Sequence, residues 1–265
     1  MHDLDPGPWL DDFRLLVHPA GCGGRAEVLV AVHGISRNAA EILEAFRARA
    51  GGSLTIVAPR FGRRQFPDFQ RLGLYGRGLR ADLALDAALE RCSAVTGADT
   101  ARFHLFGFSG GAQFAHRYAM LHPHRIRSLH VASAGWYTMP DPDLRWPYGL
   151  GARRLARPMI RNLALFRRLP KHVYAGGGDT ERDEALRKNP VLDRLQGRNR
   201  LERAERWAGA VGAESLTVIE GAGHDFMACC APGKGPGLAD LVLAGIAERG
   251  APAGQGVDRE AMTRP

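Results

Sequence analysis

The chain has 265 residues, of which 45% are hydrophobic and 24% charged, so it can bury one substantial core and has the composition of a globular protein. This composition excludes the disordered and collagen-like classes for the body of the chain, and no apolar run reaches the ~18 residues that a membrane span needs. The net charge of +8 comes mainly from arginines interleaved with acids, which is typical of a solvated surface, so we expect no nucleic-acid partner, although an anionic substrate stays open.

The N-terminal residues do not resemble a targeting sequence. Residues 1–12 carry acids, prolines and glycine in place of a basic and then apolar leader, so we expect a cytoplasmic protein unless a signal sequence has been removed. Residues 1–24 are interpreted as an arm that contains one edge strand.

Short apolar runs then alternate with amphipathic ones along the whole chain. The predicted strands lie at 13–17, 28–32, 54–58, 102–106, 128–132, 172–175 and 216–219. The predicted helices lie at 39–49, 82–92, 111–121, 197–211 and 237–248. This alternation predicts an α/β fold with a mostly parallel central sheet and helices on both faces. The carboxyl ends of such strands are where chemistry is expected.

Some residues and segments mark the expected ends of these elements and the regions outside them. Pro59 is expected to stop the strand at 54–58, and Asn38 with Glu41 is expected to cap the helix at 39–49. In the insert at 133–170, aromatic residues alternate with prolines and a basic stretch follows. We expect one domain over 1–248 and a disordered tail over 249–265, which is rich in glycine and proline.

Cysteines and histidines give no support for a metal centre. The cysteines show no C-x-x-C spacing and are interpreted as reduced structural thiols: Cys22, Cys92, Cys229 and Cys230. Some histidines lie close together in sequence, but helix-end and loop histidines are usually surface residues: His116, His122, His124 and His130. We expect neither a metal nor another cofactor.

The stretch Gly107-Phe108-Ser109-Gly110-Gly111 joins a buried predicted strand to a predicted helix. A reversal this sharp strains the backbone of Ser109, and glycines let the neighbouring backbone pass without a Cβ clash. The hydroxyl of Ser109 would then stand above the sheet, beside the N–H of Gly110 at the positive end of the helix. This G-x-S-x-G in its strand-to-helix context resembles the nucleophile elbow of the α/β-hydrolase superfamily.

The resemblance covers about residues 26–248 and implies the order serine, acid, histidine for a catalytic triad. On this resemblance Ser109 would be the nucleophile, His224 the general base and then acid, and Asp179 the carboxylate that orients the imidazole. Asp179 and His224 each follow a predicted strand and a glycine-containing turn. An acid in the insert stays open as an alternative, namely Asp141 or Asp143.

The same resemblance implies further parts of the site. The oxyanion hole would be the backbone N–H groups of Ile35, which follows His33-Gly34, and of Gly110. The fold implied is an α/β-hydrolase with a short cap-like insert after the sixth strand, at 133–170. Candidate pocket residues are Phe108, Trp136 and Tyr137, although the aromatic residues could equally serve only to pack the insert down.

Within the superfamily the chain looks most similar to bacterial esterases of the polyhydroxyalkanoate depolymerase and feruloyl esterase kind. This likeness rests on His33-Gly34, Ser109-Gly110-Gly111, Ala134-Gly135-Trp136-Tyr137 and Gly223-His224. It implies hydrolysis of a small-molecule carboxylic ester through an acyl-enzyme. Thioesterase, peptidase and acyltransferase activity on the same triad remain alternatives, as does a non-catalytic binding protein with this fold. The sequence is silent on oligomeric state.

Overall fold

The elements of the chain are arranged around one β-sheet. The computed structural model describes residues 2–4, 10–21, 26–152, 154–231, 233 and 235–250. Over these ranges the strands are β1 His2–Leu4, β2 Phe13–His18, β3 Val28–Val32, β4 Thr55–Phe61, β5 Phe103–Phe108, β6 Ile126–Ala132, β7 Lys171–Gly176 and β8 Ser215–Ile219. The helices are α1 Ala39–Arg47, α2 Ala81–Thr96, α3 Gly110–Leu121, α4 Arg157–Arg161, α5 Leu163–Arg168, α6 Pro190–Gln196, α7 Arg200–Val211, α8 Phe226–Cys230 and α9 Leu238–Gly250.

The sheet has the predicted, mostly parallel architecture. Within the described ranges its eight strands follow the order β1-β2-β4-β3-β5-β6-β7-β8. β2 runs antiparallel to β1 and β4, and each later pairing is parallel. Parallel neighbours require a crossover between them, which is why helices alternate with strands along the sequence. The predicted fold class is confirmed.

Helices cover both faces of the sheet. On one face the core includes side chains of α2, α3 and α7, with Leu85, Tyr118 and Trp207 at most 2% exposed. On the other face α1, α8 and α9 contribute side chains such as Phe46 and Val242, which are fully buried. Every residue of β3, β5 and β7 is buried, as expected for strands packed on both faces.

Two local predictions in the first half are wrong. Pro59 does not stop β4, which continues to Phe61. Among the described residues, β4 pairs at this position with β2 alone, opposite Leu15. A strand can hold a proline where one of its edges has no ladder partner. Asn38 makes no side-chain cap to the backbone of α1, and its side-chain amide instead donates to the Glu41 carboxylate at 3.3 Å.

The sequence prediction missed several short elements, among them β1 and α6. β1 lies at the edge of the sheet, so the predicted edge strand β2 is paired on both sides. α6 precedes α7, and Asn189 caps its first turn through bonds to the N–H groups of Val191 and Leu192. Both elements are short, and a short element offers too few residues to show a period.

The insert at 133–170 lies between β6 and β7, after the sixth strand, and contains α4 and α5. Its Leu150, Met159 and Phe166 are fully buried and belong to the core cluster on the α3 side. α9 continues to Gly250, so the helix includes the first two residues of the predicted tail. The remaining residues, 251–265, and Cys22 lie outside the described residues. None of the helices in the described part of the chain combines the length and apolar character that a membrane span needs.

The expectation of surface histidines is wrong for His116 and His130, which are fully buried. His116 lies on α3 and contacts the ring of Trp207, and its Nε2 accepts the N–H of Thr138 at 2.9 Å. His130 lies on β6 and stacks on His172 with ring centroids 4.8 Å apart. The packed faces of the sheet place both rings inside, where they are bound to other protein groups.

Candidate active site

The turn between β5 and α3 holds Ser109 in a strained conformation. Its φ is 53° and its ψ is −111°, a region that residues other than glycine rarely occupy. The N–H of Ser109 donates to the carbonyl of Ala132 at 2.8 Å, which ties the turn to the end of β6. The surrounding sheet therefore maintains the strain that lifts the hydroxyl above the strand ends.

Two glycines of the elbow lie where no Cβ could fit. A Cβ on Gly111 would lie 2.1 Å from the carbonyl oxygen of Val32, and one on Gly107 would lie 2.2 Å from that of Gly111. These contacts are with backbone, which cannot move aside as a side chain can. The two glycines therefore allow α3 to start directly against β3 and β5.

The structure brings Ser109, His224 and Asp179 together in one hydrogen-bonded line. Ser109 Oγ lies 3.0 Å from Nε2 of His224, and Nδ1 of His224 lies 2.8 Å from Oδ2 of Asp179. The three residues follow β5, β8 and β7 at the carboxyl edge of the sheet. The alternative acids lie in the insert, where Asp141 accepts the N–H of Asp143 at 2.8 Å.

Neighbouring side chains orient the imidazole of His224. The ring of Phe108 stacks on it, with centroids 5.3 Å apart and planes inclined by 23°. Because Asp179 is 2% exposed, its carboxylate acts on the imidazole with little screening by water. With Nδ1–H donating to Asp179, Nε2 is free to accept the proton of the Ser109 hydroxyl.

A buried arginine, Arg200, also contacts the carboxylate of Asp179 and was missed by the sequence prediction. Its Nη1 lies 3.3 Å from Oδ1 of Asp179, and its Nη2 lies 2.9 Å from Oδ1 of Asp183. The buried face of α7 begins at Arg200 and includes Ala204 and Ala208. The signal was available, because Arg200 shares the i, i+4, i+8 spacing of Ala204 and Ala208.

The two predicted oxyanion-hole donors lie beside the serine. A Cβ on Gly110 would lie 3.3 Å from the backbone nitrogen of Ile35, and one on Gly34 would lie 3.5 Å from Cβ of Ser109. The loop after β3 and the start of α3 are therefore in contact. The side-chain amide of Gln70 reaches the same place, with Nε2 2.9 Å from the Cβ position of Gly110. In the sequence Gln70 lies between the predicted strand at 54–58 and the predicted helix at 82–92.

His33 supports the oxyanion loop from within the core. Its Nε2 accepts the N–H of Phe61 at 3.0 Å, so Nδ1 carries the proton and donates to the carbonyl of Gly34 at 2.8 Å. The ring is fully buried, and this burial lowers the pKa of His33 to about 4. His33 is therefore a neutral structural residue at neutral pH.

The low pKa of His33 predicts a loss of stability in mild acid. Below about pH 6.5 the unfolded chain binds a proton at His33, whereas the folded chain does so only near pH 4. This contribution is therefore complete above pH 6.5 and is lost as the pH falls towards 4. Between pH 7 and pH 5 the loss amounts to about 2 kcal/mol.

Urea unfolding of the wild type and of His33→Gln at pH 7 and pH 5 measures this contribution. The difference in unfolding free energy between the two pH values should be about 2 kcal/mol smaller in His33→Gln. The matched control is His124→Gln, which removes an exposed histidine and keeps the buried ring of His33. An equal pH dependence in His33→Gln and wild type would contradict the prediction.

A cavity of about 270 Å³ opens onto the serine and histidine. It is lined by Gly34, Ile35, Ser36, Asn38, Glu41, Ile42, Phe108, Ser109, Ala185, His224, Asp225 and Phe226. Of the predicted pocket residues, Phe108 lines this cavity, whereas Trp136 and Tyr137 do not. A larger hollow of about 550 Å³ beside β8 contains none of the candidate catalytic residues.

The two remaining candidate pocket residues pack into the insert. The guanidinium carbons of Arg117 and Arg187 lie 4.2 and 5.4 Å from the ring centroid of Trp136. Tyr137 is fully buried and stacks on Trp207, with ring centroids 4.8 Å apart. In this arrangement both side chains fix the insert to α3 and α7.

Comparison with known proteins identifies solved structures that are similar to this chain. No protein-family model and no curated protein matches the chain. A solved poly(3-hydroxybutyrate) depolymerase from Bordetella parapertussis is similar over 88% of this chain and 89% of its own, with 27% identity and a TM-score of 0.69. Poly(aspartic acid) hydrolase-1 from Sphingomonas sp. KT-1 is similar over 89% and 92%, with 22% identity and a TM-score of 0.69. An S-formylglutathione hydrolase from Agrobacterium tumefaciens is similar over 89% of both chains, with 20% identity and a TM-score of 0.50.

Each of these similarities covers most of the chain, and the chain itself has a mostly parallel sheet and the strand-to-helix elbow at Ser109. Of these three structures, the one with the highest sequence identity is the poly(3-hydroxybutyrate) depolymerase, which is the kind of esterase that the sequence motifs resemble. The chain belongs to the α/β-hydrolase superfamily.

Proposed function

We propose that the protein is a serine hydrolase that cleaves a carboxylic ester through an acyl-enzyme. The observation that carries the proposal is the continuous line of hydrogen bonds from Asp179 through His224 to Ser109, with distances of 2.8 and 3.0 Å. A serine hydroxyl is a weak nucleophile at neutral pH unless a base within hydrogen-bond reach takes its proton. Here the base is His224, and Asp179 holds it in the tautomer that can accept.

The reaction would proceed in two halves. Ser109 Oγ attacks the ester carbonyl carbon as its proton passes to Nε2 of His224, and the N–H groups of Ile35 and Gly110 stabilise the oxyanion. The intermediate collapses when His224 returns the proton to the leaving alcohol, which leaves an acyl group on Ser109. Water then attacks this acyl group with His224 as base, and the carboxylic acid departs.

The surroundings of the serine favour a substrate of modest size. The cavity of about 270 Å³ is at the small end for ligand sites, and its apolar side is formed by Ile42, Phe108 and Phe226. Such a site suits a short acyl or alcohol group. The poly(3-hydroxybutyrate) depolymerase, at 27% identity, is named for a polyester and supports an ester, whereas poly(aspartic acid) hydrolase-1 is named for a polyamide and keeps an amide as the alternative.

The decisive experiment combines active-site labelling with a substrate panel. A fluorophosphonate should label the wild type at Ser109, and turnover should be fastest on p-nitrophenyl esters, compared with acyl-CoA thioesters and aminoacyl amides. Faster turnover of a thioester or an amide would leave the proposed triad intact, but the substrate would then be a thioester or an amide and not an ester. A folded protein that is neither labelled nor active on the panel would contradict the proposal and favour the non-catalytic alternative.

A further inference from the structure

The carboxylate of Asp179 has a different partner on each oxygen. Oδ2 lies 2.8 Å from Nδ1 of His224, and Oδ1 lies 3.3 Å from Nη1 of Arg200. The side chains of Arg200 and Asp179 are only 2% and 1% exposed. With so little water between them, the guanidinium charge acts directly on the carboxylate that stabilises the imidazolium.

A second carboxylate shares the same guanidinium. Nη2 of Arg200 lies 2.9 Å from Oδ1 of Asp183, whose side chain is 37% exposed. The hydrogen bond from Arg200 lowers the pKa of Asp183, so Asp183 is ionised wherever the enzyme would work. Asp179, Arg200 and Asp183 together then carry one net negative charge, as a lone catalytic carboxylate would.

We propose that Arg200 and Asp183 are positioning residues that set the strength of His224 as a base, an inference that rests on the proposed function. Arg200 holds Oδ1 of Asp179, so Oδ2 stays directed at the imidazole. Asp183 balances the guanidinium, which would otherwise neutralise Asp179 and weaken its stabilisation of the imidazolium. The charge of Arg200 therefore weakens His224 as a base, and the charge of Asp183 strengthens it.

Other charged or titratable groups lie around this network. Burial raises the pKa values of Tyr137 and Cys229, which lie within the field of Asp179 and stay neutral. Arg203 lies near Arg200 and is paired with Asp193 at 2.8 Å. The acids that line the His224 side of the cavity are Glu41 and Asp225, and Asp225 caps α8 through the N–H of Ala228.

The test follows the rate of fluorophosphonate labelling of Ser109 against pH, because this rate needs neutral His224 but no knowledge of the ester. In Arg200→Gln two carboxylates face the imidazolium, so the half-maximal rate should move up by about one pH unit. In Asp183→Asn the unbalanced guanidinium should lower the pH of half-maximal labelling by about half a unit. This shift is smaller than that of Arg200→Gln because solvent screens the partly exposed carboxylate. Arg200→Lys keeps the charge and should restore most of the wild-type midpoint.

The matched control is Asp193→Asn, because Asp193 lies on α6 and pairs with Arg203 of α7 and with Arg182, away from the triad. It should lower thermal stability and leave the midpoint of labelling where it is in the wild type. The inference is overturned if the labelling midpoints of Arg200→Gln and Asp183→Asn shift in the same direction, or if neither midpoint shifts in folded variants. In either case, labelling of the wild type would still support the proposed function. A wild type that is not labelled overturns both. If Arg200→Gln does not fold, a midpoint in Asp183→Asn at or above that of the wild type overturns the inference.

Discussion

Replacing Ser109 with alanine is expected to lower kcat/KM on the best ester substrate by about 10⁴- to 10⁶-fold, because the acyl-enzyme can no longer form. Steady-state kinetics measures this loss, and fluorophosphonate labelling should vanish with it. The matched control is Ser53→Ala, since Ser53 lies far from the triad in sequence and its hydroxyl donates to the carbonyl of Ala50 at 2.9 Å. A residual rate in Ser109→Ala above a hundredth of the wild type would contradict Ser109 as nucleophile.

The same position should separate catalysis from stability. Ser109→Ala keeps the strained φ of 53°, so its unfolding free energy should stay close to that of the wild type. Ser109→Gly relieves this strain and should raise the unfolding free energy by about 1 kcal/mol, although it is equally inactive. Urea unfolding of the three proteins measures the difference. Lower stability in Ser109→Gly than in Ser109→Ala would show that the elbow is unstrained.

The largest expected effect on stability comes from a single added methyl group, in Gly111→Ala. Its Cβ would lie 2.1 Å from the carbonyl oxygen of Val32 and 2.6 Å from that of His33. Relief would require α3 to move away from β3, so we expect a loss of more than about 3 kcal/mol, or failure to fold. Denaturant unfolding and near-ultraviolet circular dichroism report the outcome.

The control for this substitution is Gly209→Ala, in the helix α7, where an added Cβ meets nothing within 4 Å. Helical alanine is favoured over glycine, so this variant should be more stable by about 0.5–1 kcal/mol. Comparing Gly209→Ala with Gly111→Ala separates the effect of replacing glycine by alanine in a helix from the effect of a steric clash at the new Cβ. Wild-type stability in Gly111→Ala would mean that α3 does not pack against β3 as closely as described.

The sequence predicted the buried parallel strands and the elbow well because each has a strong local signal. The run Val28–Val32 is apolar throughout, and Ser109 stands among glycines at a change from strand to helix period. Short or partly paired elements were harder. α6 has too few residues to show a helical period, and Pro59 was expected to end a strand that in fact has one free edge at that point.

Long-range contacts explain what was missed at the candidate site. Arg200, Asp183 and Gln70 are ordinary polar residues in their local sequence, and the meeting of β7, α7 and the loop after β4 gives them their places. Trp136 and Tyr137 were candidate pocket residues because they are aromatic and lie in the insert. Their packing against Arg117 and Trp207 depends on how the insert folds over α3 and α7.

The sequence by itself determined the alternation of the longer strands and helices, the strained elbow and the identities of Ser109, Asp179 and His224 as candidates, because each depends on residues adjacent along the chain. Only the tertiary structure decided that these side chains form one line at the sheet edge and that Arg200 and Asp183 bear on it. The physical reason is that hydrogen bonds and ion pairs depend on distances of a few ångströms in space. Packing of the helices on the sheet sets those distances between residues far apart in sequence.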